Sequence, residues 1–272
     1  MINKRLIFGN GKVSNIVRNN NDIIVQRSEC DIRDSDAVME IVSSHRPDVV
    51  INTAANTSLE RCQNNKFESY YSNTLGTINL LQAAADCGAK FIHISSGCLF
   101  DGNDTISYED SIPNNFVWYT NTKIWADDYI TKYGYDNYLI LRPRQMISKV
   151  AHPTNMITKF CNYKEIFVHD EPNSITCVED FKDMLEHLVN IGATGIYNCC
   201  NDGSVSPYDI AIGIKKFIKP TLAVHQSSYE FTLSLQENRR VNTILSNEKL
   251  KSTGFITRTG PEALNWVLKN YE

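Results

Sequence analysis

Residues 91–123 read FIHISSGCLFDGNDTISYEDSIPNNFVWYTNTK. The stretch opens on a short run, Phe91 to Ile94, that is apolar but for one histidine. That pattern is expected of a strand buried on both faces of a parallel sheet. The run stops in Ser95-Ser96-Gly97-Cys98, small residues that leave room for a ligand. Trp118 to Lys132 then reads as a helix, with Tyr119 and Lys123 one turn apart on one face. In an open parallel sheet, ligands bind at the carboxyl ends of the strands. A serine hydroxyl there, facing a tyrosine/lysine pair, makes a proton-transfer set for a carbonyl or an alcohol. Cys98, two residues past Ser96, is a second acid or base in the same place.

Working towards the N-terminus, the same strand-then-helix alternation recurs. Arg5-Leu6-Ile7-Phe8 is a first strand, and Gly9-Asn10-Gly11-Lys12-Val13-Ser14 reads as the turn and helix start that let backbone N–H groups approach a pyrophosphate. Ser14 stands where a third glycine is usual, and is small enough for close packing. Asp22 to Gln26 is a second strand. It ends in Gln26-Arg27-Ser28 rather than in an acid, which favours a 2′-phosphate and hence NADPH, with NADH left open. Asp31 and Ile32 are placed against the adenine, although Asp31 serves equally well as cap for a helix starting near Ser35. Asp48 to Ile51 is a third buried strand, and Ala54 and Ala55 beyond it give a cofactor room beside the backbone. Leu59 to Asp86 reads as one helix, with Asn73 on the cofactor side.

Towards the C-terminus, Tyr138 to Leu141 is a further strand ending at Arg142-Pro143-Arg144. The pattern then loosens. A helix starts near Pro153, a strand near Ser174, a helix at Glu179–Ile191, a strand at Gly195, a helix after Ser206-Pro207 and a last helix at Pro261–Leu268. The fold class expected is α/β: a Rossmann-type doubly wound parallel sheet with a small C-terminal substrate-binding lobe closing over Ser96 and Tyr119. The body is assigned to residues 1–150 and the lobe mainly to 151–272, with segments returning to the body.

At 272 residues the chain can bury a large core, and its net charge of −4 gives no reason to expect nucleic acid as a partner. No apolar run reaches the roughly 18 residues needed to span a bilayer. The first residues enter a strand at once, which does not read as a secretion signal. The eight cysteines show no CxxC spacing, so reduced thiols and a cytoplasmic location are expected. No metal site is expected.

DVVINTAAN, SNTLGTINLLQAA, FIHISSGCLFDG and YTNTK together resemble the extended short-chain dehydrogenase/reductases, in their dTDP-4-dehydrorhamnose reductase branch. LRPRQMI, PTNMITKF, EPNSIT, TGIYN and SNEKLK are similar to the bifunctional epimerase/reductases that make UDP-L-rhamnose. The resemblance implies an enzyme that converts a UDP- or dTDP-linked 4-keto-6-deoxyhexose, first by 3,5-epimerisation and then by NADPH-dependent 4-reduction. It also implies a homodimer. By position, Ser96, Tyr119 and Lys123 fill the reductase set, the lysine's charge favouring loss of the tyrosine proton. Cys98 and Lys159 match the epimerising base and acid of the bifunctional branch. Asn155 and Arg240, or its neighbour Arg239, are expected to face the sugar nucleotide. Two other readings stay open: a 4-reductase alone, and a non-catalytic cofactor-binding subunit that regulates a partner.

Overall fold

The computed structural model describes residues 4–235 and 240–272, with Asn103 described by its backbone alone. Arg239 therefore lies outside the described residues. The chain forms two compact units, interleaved along the sequence rather than divided at residue 150. The first comprises residues up to 99, 113–142 and 188–197; the second comprises 100–112, 143–187 and 198–272.

The first unit is built on a six-stranded sheet. In spatial order its strands are Gly195–Asn198, Tyr138–Arg142, Lys90–Ile94, Val49–Asn52, Arg5–Phe8 and Ile23–Val25. The pairings from Tyr138–Arg142 across to Ile23–Val25 are all parallel. Every residue of Arg5–Phe8, Val49–Asn52 and Lys90–Ile94 is buried, as expected when helices cover both faces. Strand order reverses beside Arg5–Phe8, whose neighbours are the second strand on one side and the third on the other. This is the topological switch point at which such sheets open a crevice. In register, Phe8 lies beside Asn52, Asn52 beside His93, and Ile94 beside Leu141. The strand ends that carry the candidate residues are therefore aligned along one edge.

Leu6, Phe8, Val50, Phe91 and Ile140 pack with Leu80, Leu81 and Ala84 of the helix Gly76–Asp86 into one core. Fully burying each of the larger side chains contributes about 1.5–3 kcal/mol. Ile32 belongs to that core. It packs so closely on Gly76 that a Cβ there would lie 2.6 Å from the Ile32 side chain.

Leu59–Asp86 is not one helix. Asn65 (φ −126, ψ 65) ends Leu59–Asn64, Lys66–Tyr70 follows, and Tyr71–Leu75 is a single π-turn before Gly76. The Ser69 hydroxyl competes with the backbone ladder by donating to Lys66 O at 2.9 Å and Asn65 O at 3.1 Å. A π-turn holds an extra residue, which turns both Asn73 and Thr74 inward. The helix at Ser35–His45 is capped by Asp34, whose carboxylate accepts from Asp36 and Ala37 N–H, and not by Asp31.

The second unit has its own core, in which Ile157, Ile166, Ile210, Ile214, Leu264 and Val267 meet. Its helices Pro207–Phe217 and Gly260–Lys269 both start with a reciprocal capping box, Ser206 with Asp209 and Thr259 with Glu262. The strand Gly102–Ser107, which lies between the two halves of the opening stretch, pairs in parallel with Thr243–Leu245 in this unit.

Candidate functional site

Three strand ends and one helix build the site in the first unit. Gly9 leaves the first strand with φ +114, in the region that favours glycine. A Cβ on Gly9 would lie 2.6 Å from Thr53 Oγ1 and 3.1 Å from Ala54 N, so the close approach of the two strand ends here leaves room only for glycine. Thr53 N–H and Oγ1 both donate to Phe8 O, at 3.0 and 2.8 Å. Gly11, by contrast, has nothing within 4 Å of its Cβ position, and with Asn10 it is exposed. Lys12 and Val13 are half-buried at the head of the following short helix. Ser14 is buried, and its hydroxyl donates to Gly11 O at 2.9 Å, which fastens the turn where a third glycine would leave it free. A tight, open-topped turn beside half-buried Ala54 and Ala55 fits a dinucleotide's pyrophosphate.

At the end of the second strand, Arg27 is exposed and pairs with Asp31 at 3.4 Å and Glu68 at 3.8 Å. Asp31 is held mainly by Arg33, whose Nε and Nη2 donate at 2.9 and 2.6 Å, and that contact holds its carboxyl down to about 2. Arg33 was missed in the sequence. The available signal was an arginine two residues past Asp31, where its fork meets the carboxylate.

Two expected ligand contacts are corrected. Asn73 is fully buried, and its amide is spent inside the fold: Oδ1 accepts from Asn56 N at 2.7 Å, while Nδ2 donates to Asn56 O at 2.9 Å and Thr122 Oγ1 at 3.0 Å. It shapes the loop beyond Ala55 instead of facing a cofactor. Ile32 likewise gives its side chain to the core.

The fourth strand delivers Ser96, buried, whose Oγ accepts from Cys98 N–H at 3.1 Å. That bond closes the 3₁₀ turn Gly97–Leu99 and leaves Cys98 half-buried just past the serine. Asn115 secures the turn by donating to Cys98 O at 2.7 Å. Tyr119 and Lys123 lie on the buried face of Trp118–Lys132. Lys123 is 2% exposed, and its Nζ donates to Ile94 O at 2.9 Å, tying the helix to the strand end that carries Ser96. Burial pulls Lys123 down to about 8, against the pull of Asp127 and Cys62. Ser96, Cys98, Tyr119 and Lys123 thus belong to one strand end and the one helix bonded to it.

In the second unit, Lys159 is exposed on the helix Met156–Cys161, and Arg240 is exposed with its carbonyl accepting from Tyr229 OH at 2.9 Å. Asn155 departs from expectation. It is fully buried, caps that helix through Ile157 N–H, and donates from Nδ2 to Ser148 O at 2.7 Å and Val150 O at 3.0 Å. Its amide is a structural staple with no surface left for a sugar nucleotide.

A parallel sheet with this switch point, a glycine turn at its first strand and a Ser/Tyr/Lys set at its fourth define a Rossmann-type protein of the short-chain dehydrogenase/reductase class. The chain belongs to the RmlD substrate binding domain family, whose profile matches residues 10–272. It is 27% identical, over 81% of its own length and 76% of the other, to a bifunctional dTDP-4-dehydrorhamnose 3,5-epimerase/dTDP-4-dehydrorhamnose reductase of Arabidopsis thaliana. It spans about a third (34%) of a longer trifunctional relative from the same plant. Among solved structures it superposes on dTDP-4-dehydrorhamnose reductase from Bacillus anthracis in complex with NADP, with a TM-score of 0.89, 23% identity and coverage of 99% and 100% of the two chains. It also superposes on the L780 UDP-rhamnose synthase of Acanthamoeba polyphaga mimivirus, with a TM-score of 0.86, 25% identity and coverage of 98% and 99%. Among the described residues, no helix is long and apolar enough to cross a membrane, and no cluster of His, Cys, Asp and Glu could hold a metal.

Proposed function

We propose that this chain reduces the 4-keto group of a nucleotide-linked 4-keto-6-deoxyhexose at the expense of NADPH. The observation that supports the reading is the hold of Lys123, a buried cation on the helix that also carries Tyr119, on Ile94 O, two residues before Ser96. The turn Gly9–Val13 would hold the pyrophosphate, with Arg27 and Asp31 near the adenine ribose and Ala54 and Ala55 along the backbone. When bound, the nicotinamide supplies hydride to C4. The Ser96 hydroxyl orients the C4 oxygen by hydrogen bonding. The Tyr119 hydroxyl donates a proton to that oxygen, and the Lys123 ammonium steadies the phenolate left behind.

The finer reading is a bifunctional enzyme converting UDP-4-keto-6-deoxy-D-glucose to UDP-L-rhamnose. The 4-keto group acidifies the C3 and C5 protons; Cys98 takes each in turn as base, Lys159 delivers a solvent-derived proton to the opposite face as acid, and both groups exchange with water between the two steps. Supporting this are the match of both residues to the bifunctional branch, the bifunctional plant relative, and the UDP-rhamnose synthase among the structural neighbours. A homodimer, which rests on the resemblance, and a cytoplasmic location, which rests on the cysteine pattern, belong to the same proposal. A reductase acting alone is the second reading, favoured by end-to-end coverage of the B. anthracis reductase.

One experiment tests all of this. The chain is supplied with UDP-4-keto-6-deoxyglucose and NADPH in deuterated water. NADPH oxidation with deuterium at C3 and C5 is expected, and C98A should keep reduction of a pre-epimerised sugar while losing the exchange. Turnover of pre-epimerised sugar only would leave the reductase; no turnover of either sugar would refute both.

A further inference from the structure

Beneath Lys123 lies a set of buried polar groups that the proposed chemistry does not use. Asp127 follows Lys123 by one turn on the same helix face, and the two are 4% and 2% exposed. Asp127 Oδ2 accepts from Arg142 Nε at 3.1 Å and lies 3.1 Å from its Nη2, on the neighbouring strand. Burial pushes the Asp127 carboxyl up, and the charge of Arg142, with that of Lys123, opposes this by favouring the carboxylate. Among the described residues its other oxygen, Oδ1, has no hydrogen-bond partner, and it stands 4.0 Å from His93 Nε2.

The state of His93 follows from its other side. Ala54 N–H donates to Asn52 Oδ1 at 3.0 Å, which fixes the orientation of that amide. Asn52 Nδ2 therefore faces His93 Nδ1, at 3.3 Å, and also donates to Thr77 Oγ1 at 2.9 Å. Nδ1 must accept, so the ring proton is on Nε2 and points at the open oxygen of Asp127. Complete burial, and then the charge of Lys123, keep this ring neutral. Cys62, on the helix Leu59–Asn64, also bears on Lys123, but burial pushes its thiol up and keeps it uncharged. Of the ionisable groups that act on Lys123, then, Asp127 brings the negative charge, His93 and Cys62 are neutral, and Arg142 acts through Asp127.

We infer that Asp127 is a positioning residue for the Tyr119/Lys123 pair: its carboxylate keeps Lys123 charged and seated on the Ile94 carbonyl, and so keeps a cation behind the tyrosine hydroxyl. The inference deepens the reductase reading and takes its catalytic meaning from it. A group with no charge at this position would satisfy the helix but not the lysine.

The test is the titration of Lys123 in the full chain, followed by NMR with 13Cε-labelled lysine and assigned by the signal lost in K123R. In the parent the midpoint should lie at about 8. In D127N it should fall by about one unit or more, the size of shift that loss of a nearby opposite charge produces, and D127E should restore it. Should D127N leave Arg142 too costly to bury, D127N/R142Q removes both partners; because loss of the Arg142 cation alone favours a charged Lys123, the double variant is read against R142Q, from whose midpoint it should fall. A folded D127N whose Lys123 midpoint stays at the parent value, or a double variant whose midpoint stays at that of R142Q, overturns the inference, as does a D127E midpoint as low as that of D127N. The alkaline limb of NADPH oxidation should move with the lysine midpoint in each variant. If no variant turns over substrate, the reductase reading fails while the titration still decides the role of Asp127.

Discussion

Replacing Asn155 by alanine separates a structural amide from a ligand contact. The side chain makes three bonds in the described structure: to Ile157 N–H as helix cap, and to the carbonyls of Ser148 and Val150. Loss of the cap costs about 1 kcal/mol. Two buried carbonyls left without a donor cost on the order of 1 kcal/mol each, at the low end because a backbone oxygen can relax towards another partner. The sum is about 3 kcal/mol, which for a chain of this size lowers Tm by about 6–12 °C. The damage should stay local, because Ser148 is held separately: its hydroxyl donates to Glu179 Oε1 at 2.7 Å, and Lys149 N–H donates to the same oxygen at 3.2 Å. Scanning calorimetry measures the first quantity, and steady-state kinetics below the transition measures KM for the nucleotide sugar. Asn155→Ala should therefore melt early while KM changes less than about threefold, since a group with no exposed surface contributes little to binding. An unchanged Tm together with a KM raised tenfold or more, about 1.4 kcal/mol of lost binding, would refute the structural assignment.

Other outcomes follow from the first unit. Tyr119→Phe should retain the fold and lower kcat for reduction by about 10²–10⁴-fold, the usual worth of a positioned general acid; a tenfold loss or less in single-turnover assays would move that role elsewhere. Gly9→Ala puts a Cβ against Thr53 and Ala54 at φ +114, so calorimetry should show a loss of about 1–3 kcal/mol, and fluorescence titration weaker NADPH binding. Because burial holds Lys123 down to about 8, its ammonium is present below that pH and lost above it. kcat/KM for reduction should accordingly fall as pH rises through about 8, and a profile flat to pH 10 would contradict that role.

Much of the fold was legible because its signals are local. Strands covered on both faces are apolar over most of their length, so the runs at Arg5–Phe8, Asp48–Ile51 and Phe91–Ile94 stand out in the sequence, and the structure has strands at Arg5–Phe8, Val49–Asn52 and Lys90–Ile94. Tyr119 and Lys123 share a face because a helix turns every 3.6 residues, whatever it packs against. The helix Trp118–Lys132 has the bounds read from the sequence. The single helix expected over Leu59–Asp86 failed where a side chain competed with the backbone: periodicity registers the apolar stripe but not the hydroxyl of Ser69 or an extra residue in one turn.

Polar side chains mark the division most clearly. By itself the sequence determined which residue types stand at the strand ends and on the Tyr119 helix, since strand and helix periods are properties of the backbone. It did not determine where each amide and carboxylate spends its hydrogen bonds. Asn73 and Asn155 had been placed against ligands, yet both turn inward to backbone carbonyls. Asn52, His93 and Asp127 meet only because two parallel strands and a helix come into register. A buried polar group takes whatever partner the fold brings within reach, and Asn52 finds Thr77 and His93 25 and 41 positions away. Only the tertiary structure could decide which of the polar residues bind outward and which hold the site in place.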